Sequence, residues 1–357
     1  ARVAFDQVPS GSFAGTMSGA GSVRKIGGGE LLLTAANSYK GGTQVDGGTL
    51  NVGATGAVGT GPVGVSSGAG LVFSGSADAE SLQITAGAAQ PGNGGYVQFQ
   101  DNASAGHATL TAQAGGSIEF RGNATAGNAT IENRGGQVTV SFDATAGKAH
   151  ITNFSGGWTN LWDKGSAGQA TIVNEDRGTL DIQHDATAAQ ARVVNKAGGT
   201  VRIARLAAVG TSIGALEGAG RVLLGAKALT TGALNTDTEI SGVISGVGGS
   251  LVKVGTGALT LSGENTHTGG TALRQGRLNV GHSQALGTGT LSMDDDTTLG
   301  FSANGLTIAN IIKLTGNNDP VIDTGAFSGT LSGAISGGGF ITKQGTGTLT
   351  LSGANTY

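Results

Sequence analysis

Residues 104–133 read SAGHATLTAQAGGSIEFRGNATAGNATIEN and contain one unit of a repeat that runs from residue 97 to residue 203. Each unit carries an Ala, a polar residue and an aliphatic residue in a row. This tripeptide recurs every 20 or 21 residues, beginning at Ala108, Ala129, Ala149, Ala170 and Ala191. A fixed period in this range is typical of stacked units that cannot bury a core alone.

Short alternating segments fill each unit, and glycine and asparagine separate them. Alternation over a few residues indicates strands, and so much glycine disfavours a helix. We therefore predict an all-β fold, a parallel β-helix with about 21 residues per coil in the array 97–203. Each strand would pair with its copy in the next coil.

A column of asparagines follows the aliphatic position, at Asn133, Asn153, Asn174 and Asn195. Because alternate strand residues point the same way, Asn133 should share the inner side with Ile131. A single buried amide without partners is costly, whereas a column can hydrogen-bond amide to amide. We interpret the column as a structural ladder rather than a ligand site. The column Ser104, Thr125, Thr145, Ser166 and Thr187 has the same interpretation.

A longer motif begins at residue 21 as GSVRKIGGGELLLTAANSYKGGTQVDGGTLNVG and returns at residues 249 and 339. The third copy stops at Tyr357, so we expect a fragment of a longer repeat protein. We predict one continuous β-helix over 1–357. Its parts are a first repeat at 21–65, the array at 97–203, a second repeat at 249–293 and a truncated third repeat at 339–357. Turn residues also predict a loop at 90–95.

The long motif resembles the passenger-associated repeat of autotransporters, the type V secreted proteins of Gram-negative bacteria, including their self-associating adhesins. The core GTGALTLSGENTHTGGT followed by GRLNVG, within residues 249–281, carries the resemblance. The resemblance implies a right-handed parallel β-helix exported to the cell surface or secreted. It also implies a C-terminal outer-membrane barrel that anchors the full-length protein and is absent from these residues.

Composition narrows the function classes. The chain has 357 residues, 69 of them glycine, with 12% charged residues and a formal net charge of −3. This charge offers no long-range attraction for nucleic acid, and the absence of cysteine excludes a disulfide scaffold and thiolate metal sites. We expect neither a cofactor nor a metal.

No catalytic residue is predicted. The five histidines have no partner at metal-ligand spacing, and no serine stands in a nucleophile motif. The run Asp294–Asp296 could hold calcium if its carboxylates converged, but strand neighbours point to opposite sides, which favours a solvated turn. The histidines are His107, His150, His184, His267 and His282.

One coil departs from its neighbours because it holds both tryptophans. Leu161 takes an inward position, so Trp158, Asn160 and Trp162 should face outward together. Phe142 and Phe154 lie in adjacent turns. We predict a contact surface from these five residues, since exposed aromatics often mark contact sites. The alternative is that a loop or flanking segment covers them.

These observations favour a non-enzymatic adhesin or a module for bacterial aggregation and biofilm. It would act through repeated polar contacts along the β-helix face, strengthened by avidity. The partner would be the same protein on a neighbouring cell, or a host surface protein or glycan. The alternative is a stalk for an enzymatic or receptor-binding head elsewhere in the protein, and a third possibility is a β-helix carbohydrate-processing enzyme.

Overall fold

The structure is a computed structural model that describes residues 1–87, 94–316 and 319–357. Of the predicted loop at 90–95, residues 90–93 lie outside the described residues. The regular secondary structure of the described part is entirely β-strand. Among these residues, no helix has the length and apolar character needed to cross a membrane.

The chain divides into two compact units, Ala1–Asp181 and Ile182–Tyr357. The strands that begin in the first unit are β1 (Arg2–Phe5), β2 (Gly11–Phe13), β3 (Ser18–Gly19), β4 (Ser22–Lys25), β5 (Glu30–Leu33), β6 (Ser38–Tyr39), β7 (Thr43–Val45), β8 (Thr49–Val52), β9 (Val63–Val65), β10 (Gly70–Phe73), β11 (Gln83–Ala86), β12 (Tyr96–Phe99), β13 (Thr109–Gln113), β14 (Ser117–Phe120), β15 (Thr130–Arg134), β16 (Gln137–Val140), β17 (His150–Asn153), β18 (Trp158–Leu161), β19 (Thr171–Asn174) and β20 (Thr179–Ile182).

The strands of the second unit are β21 (Ala188–Asn195), β22 (Thr200–Arg202), β23 (Gly210–Glu217), β24 (Arg221–Leu223), β25 (Ala228–Thr231), β26 (Thr238–Ile240), β27 (Ile244–Ser245), β28 (Ser250–Lys253), β29 (Ala258–Leu261), β30 (Thr271–Leu273), β31 (Arg277–Val280), β32 (Leu291–Met293), β33 (Thr298–Phe301), β34 (Leu306–Ile308), β35 (Ile312–Leu314), β36 (Val321–Asp323), β37 (Gly329–Leu331), β38 (Ile335–Gly337), β39 (Thr342–Gln344) and β40 (Leu349–Leu351).

Parallel pairing between successive coils builds the first unit. One face stacks β1, β4, β7, β9, β11, β13, β15, β17 and β19, and a second face stacks β2, β5, β8, β10, β12, β14, β16, β18 and β20. In register, Leu110 pairs with Ile131, Ile131 with Ile151, and Ile151 with Ile172. These pairings confirm the predicted parallel β-helix with about 21 residues per coil.

The narrow interior of the first unit is filled by columns of apolar side chains. Phe73, Phe99 and Phe120 are fully buried and stack ring on ring, with centroids 4.7 and 4.9 Å apart. Small alanines such as Ala126 and Ala129 line the third face, where the chain turns tightly. Stacking of equivalent residues lets a thin coil bury a continuous core with few large side chains.

The second unit has four parallel sheets. They stack β21-β23-β25-β28-β30-β32-β35-β38, β22-β24-β27, β26-β29-β31-β33-β36-β39 and β34-β37-β40. The pairing of β21 with β23 shifts register between Ala188 and Arg192, as at a bulge.

Copies of the long motif do not occupy the same faces of the second unit. The first two strands of the copy at 249 are β28, in the eight-stranded sheet, and β29, in the six-stranded sheet. The corresponding strands of the copy at 339 are β39, in the six-stranded sheet, and β40, in the three-stranded sheet. The motif is therefore a local strand-turn-strand unit, and its sequence does not fix which face it joins.

Candidate contact surface and polar columns

The asparagine column lies inside the coils, where all four amides are buried. Asn133 Nδ2 donates to Asn153 Oδ1 at 3.0 Å, and Asn153 Nδ2 donates to Asn174 Oδ1 at 2.9 Å. Thr159 Oγ1 also donates to Asn153 Oδ1 at 2.7 Å. Asn195 Nδ2 donates to the Arg221 carbonyl at 3.0 Å. These amides form hydrogen bonds with one another and with neighbouring backbone. Asn153 finds its hydrogen-bond partners within the protein, without a ligand.

A second class of buried asparagine was missed by the sequence reasoning. Asn265 Oδ1 accepts the Ile244 N–H at 2.7 Å from one coil, and its Nδ2 donates to the Ala285 carbonyl at 2.5 Å in another. Asn37 makes the equivalent contacts with Met17 N and the Ala57 carbonyl, both at 2.6 Å. One side chain thus joins the backbones of three coils. The recurrence of this residue in the long motif was the available signal.

The Ser/Thr column fixes turns within each coil. Each hydroxyl accepts the N–H two residues further on, at 2.9 Å for Ser104 and Gly106 and at 3.0 Å for Thr125 and Gly127. The same contact recurs at Thr145 and Ser166. Such local bonds to the backbone are typical of serine and threonine turns. The column therefore shapes one corner of the coil, in addition to the coil-to-coil bridges through its backbone.

The predicted contact residues divide between exposed and covered positions. Trp162 and Phe142 are 46% and 47% exposed, and both lie at the corner that follows the strands of the second face. Trp158 is half-buried and pairs with Gln137 at an outward position. Phe154 is half-buried at the preceding corner, where the Arg134 guanidinium lies 4.5 Å from its ring centroid.

Asn160 differs from the expectation of a shared exposed face. It occupies an outward strand position beside Thr139, but it is only 8% exposed. Trp158 lies two residues before it in the strand, and Trp162 lies two residues after it at the corner. The structure therefore brings Phe142 and Trp162 to one exposed corner, and places Trp158, Asn160 and Phe154 in more covered positions.

Buried lysines are a second feature of the long motif that the sequence reasoning passed over. Lys253 Nζ donates to the carbonyls of Val254, Gly255 and Gln275 at 2.8, 2.7 and 3.1 Å. Burial lowers the pKa of Lys253 to about 8, although Asp237 acts in the opposite direction. Burial also lowers the pKa of Lys25, its counterpart in the first copy.

A buried polar pair recurs at equivalent positions of the first two copies. In one, Tyr39 Oη lies 2.5 Å from Thr43 Oγ1, and burial raises the pKa of Tyr39 to about 12. In the other, His267 Nε2 lies 3.0 Å from Thr271 Oγ1, which donates to the Leu286 carbonyl. His267 is fully buried, and desolvation lowers its pKa. Because the threonine proton is used elsewhere, Nε2 of His267 is the donor.

Acidic residues do not form a metal site in the described residues, where no group of three His, Cys, Asp or Glu side chains could hold an ion. Asp294 Oδ1 instead accepts from Arg274 Nη1 at 2.7 Å and from Thr315 Oγ1 at 2.5 Å. The first carboxylate of the acidic run is thereby tied to two neighbouring coils.

Comparison with known proteins identifies the long motif. A family model described as passenger-associated transport repeat matches residues 23–52, 251–280 and 341–357. The adhesin BmaC autotransporter of Brucella suis biovar 1 (strain 1330) is 37% identical over 126 residues, which is 35% of this chain. The chain spans only 4% of the length of that relative.

Among solved structures, a TibC-catalyzed hyper-glycosylated TibA fragment is 20% identical, with a TM-score of 0.32. The match covers 85% of this chain and 97% of that fragment. The family-model and sequence matches agree with the motif read from the sequence. Three stretches of this chain, residues 23–52, 251–280 and 341–357, therefore match the passenger-associated transport repeat.

Proposed function

We propose that this segment belongs to the surface-displayed or secreted passenger of a Gram-negative autotransporter, where it is a non-enzymatic adhesion module acting in attachment to surfaces or in aggregation between bacteria. The observation that carries the proposal is the 37% identity over 126 residues to a protein named as an adhesin. Repetition of the coil supports it, because the coil places similar polar side chains in rows on the outside.

Avidity is the proposed mechanism. The outward row of the first face contains Thr109, Thr130, His150 and Thr171 in register. One such contact is weak, but several identical contacts in parallel raise the effective affinity by orders of magnitude when the geometry allows simultaneous engagement. The partner would be the same segment on a neighbouring cell, or a protein or glycan on a host surface.

A stalk for a head elsewhere in the protein is the second candidate. It is favoured by the small share of the relative, 4%, that this chain spans. A head in another part of the protein could carry an enzymatic or receptor-binding activity, and this segment would then only set its distance from the cell.

Adhesion is tested by coating beads with the purified segment and measuring bead aggregation and attachment to epithelial cells. Sedimentation velocity over a wide concentration range is run in parallel, with a Trp158→Ala/Trp162→Ala variant. We expect attachment or association by the wild type that weakens in the variant. Beads that neither aggregate nor attach, together with a monomer at every concentration, would leave the stalk as the better explanation.

A further inference from the structure

An exposed corner of the first unit holds an aromatic residue in a strained backbone conformation. Phe142 has a φ of +58°, in the left-handed region. The same corner position is filled in neighbouring coils by Asp101, Gly122, Asp163 and His184, all at positive φ. Glycine, aspartate and histidine tolerate this region far better than a bulky residue does. Phe142 is thus the least suitable residue of its column.

The buried core gains little from this phenylalanine. Its ring is 47% exposed, so it contributes little to the core, and a glycine there would remove the backbone strain. A strained residue that persists without a packing benefit is a reason to look for function. Trp162, in the next coil at the same corner, is 46% exposed as well. The two largest exposed side chains of the array are therefore neighbours.

Polar and charged side chains share this corner with the two rings. The Arg121 guanidinium lies 5.4 Å from the centroid of Phe142. Asn123 Nδ2 donates to Asn102 Oδ1 at 3.3 Å at the same corner. Asp143 directly follows Phe142, Lys164 lies two residues after Trp162, and both are exposed. We call Arg121, Phe142, Asp143, Trp162 and Lys164 the aromatic corner. It combines two apolar ring faces with donors and acceptors of both charge signs.

We propose that the aromatic corner binds neutral glycan chains; this rests on the proposed adhesion function and names its ligand class. A sugar ring presents a face of C–H groups, which can lie on an aromatic ring, and a rim of hydroxyls that donate and accept hydrogen bonds. The amide, carboxylate and guanidinium groups beside the rings suit that rim. Arg121 and Lys164 exceed Asp143 by one positive charge, and Asp163, which directly follows Trp162, offsets it. This part of the surface therefore has no net charge with which to select a strongly charged ligand.

A protein partner fits this surface less well. A stable protein interface buries about 800 Å² on each partner. The aromatic corner is a turn between faces, with apolar contact from two side chains only. Any of the many similar rings along a glycan chain can bind such a small site weakly. This agrees with adhesion through many weak contacts.

The test is affinity electrophoresis of the 357-residue segment in native gels that contain dextran, galactomannan or hydroxyethyl cellulose, with alginate as the acidic comparison. The wild-type segment should migrate more slowly in at least one of the neutral polysaccharides. Slower migration in alginate only is not expected. Phe142→Gly and Phe142→Asn should each lose at least nine tenths of that retardation. Their melting temperatures should equal or exceed that of wild type, because the strain is relieved. Trp162→Ala should also lose retardation.

Arg177→Gly is the matched control, since Arg177 is an exposed residue at φ +58° at a different corner. It should relieve similar strain and leave retardation unchanged. Several results would overturn the proposal: no retardation of wild type in any neutral polysaccharide, retardation in alginate only, unchanged retardation in Phe142→Gly, or a fall in its melting temperature. A loss of self-association in Phe142→Gly without any glycan binding would instead assign the corner to a second copy.

Bead attachment separates this proposal from the function on which it rests. If wild-type beads attach to cells and Phe142→Gly beads attach equally well, the adhesion function stands and the glycan site is wrong. If wild-type beads never attach although the segment is retarded by a neutral polysaccharide, the site stands and the adhesion function is wrong.

Discussion

At the residue scale, Lys253 places an ammonium group inside a coil with only backbone carbonyls as partners. Its folded-state pKa of about 8 lies below the ordinary value of 10.5, so the unfolded chain binds more protons between these two pH values. The free energy of unfolding should therefore rise as the pH increases from about 8 towards 10.5, and then level off.

Urea denaturation at pH 7.5, 9 and 10.5 measures this effect of Lys253. Lys253→Met should show a smaller rise than wild type, and the remainder comes from Lys25, whose pKa is lowered in the same direction. Lys343→Met should retain the full rise, because Lys343 is the exposed counterpart in the third copy. Parallel pH profiles for wild type and Lys253→Met would contradict the assignment.

His267 should affect stability at acidic pH, whereas Lys253 affects it at alkaline pH. Its pKa is lowered by burial, so the unfolded state takes up a proton first as the pH falls below about 6.5. Stability from the neutral ring is present above that value and is lost on acidification. His267→Tyr installs the residue of the first copy, Tyr39, and should flatten the loss between pH 7 and 5 in thermal melts. His107→Gln, at an exposed turn, should melt like wild type at each pH.

At the element scale, a single side chain connects three coils in each of the first two copies of the long motif. Asn265→Ala leaves a buried N–H of Ile244 and a buried carbonyl of Ala285 without partners. Each such group costs about 1–3 kcal/mol, so we expect a loss of roughly 2–5 kcal/mol in the free energy of unfolding, measured by urea titration. Glu264→Ala, at the exposed neighbouring position, should cost less than about 0.5 kcal/mol. Equal losses in the two variants would show that the hydrogen bonds of Asn265 between coils do not stabilise the fold.

At the scale of the whole molecule, each coil is supported by its neighbours only, so damage should stay local. Asn153 bonds to Asn133, Asn174, Thr159 and the Thr179 carbonyl, and Asn153→Ala removes all four bonds. Hydrogen exchange followed by mass spectrometry should show faster exchange in the coils around residues 130–180. Peptides from residues 23–52 should exchange at the wild-type rate. Uniformly faster exchange along the first unit would contradict this nearest-neighbour behaviour.

The coil and its period could be predicted from sequence because equivalent residues recur at equal steps, which requires no knowledge of packing. The covered state of Asn160 could not be predicted, since exposure depends on how neighbouring side chains pack on the surface. The strain at Phe142 was hidden for a related reason. It becomes visible only when its corner is aligned in space with Gly122 and Asp163. The alternation of the strand indicated the outward direction correctly but contained no information on exposure.

The different faces used by the copies at 249 and 339 have a consequence for how such chains change length. Recombination between the two copies would delete 90 residues, the offset at which they match. Because the later copy begins one face further round the coil, the shortened chain would also be rotated at the junction. Every surface row beyond that point would take a new angular phase relative to the rows before it. One deletion would therefore change both the length of the chain and the direction in which the rows after the junction face.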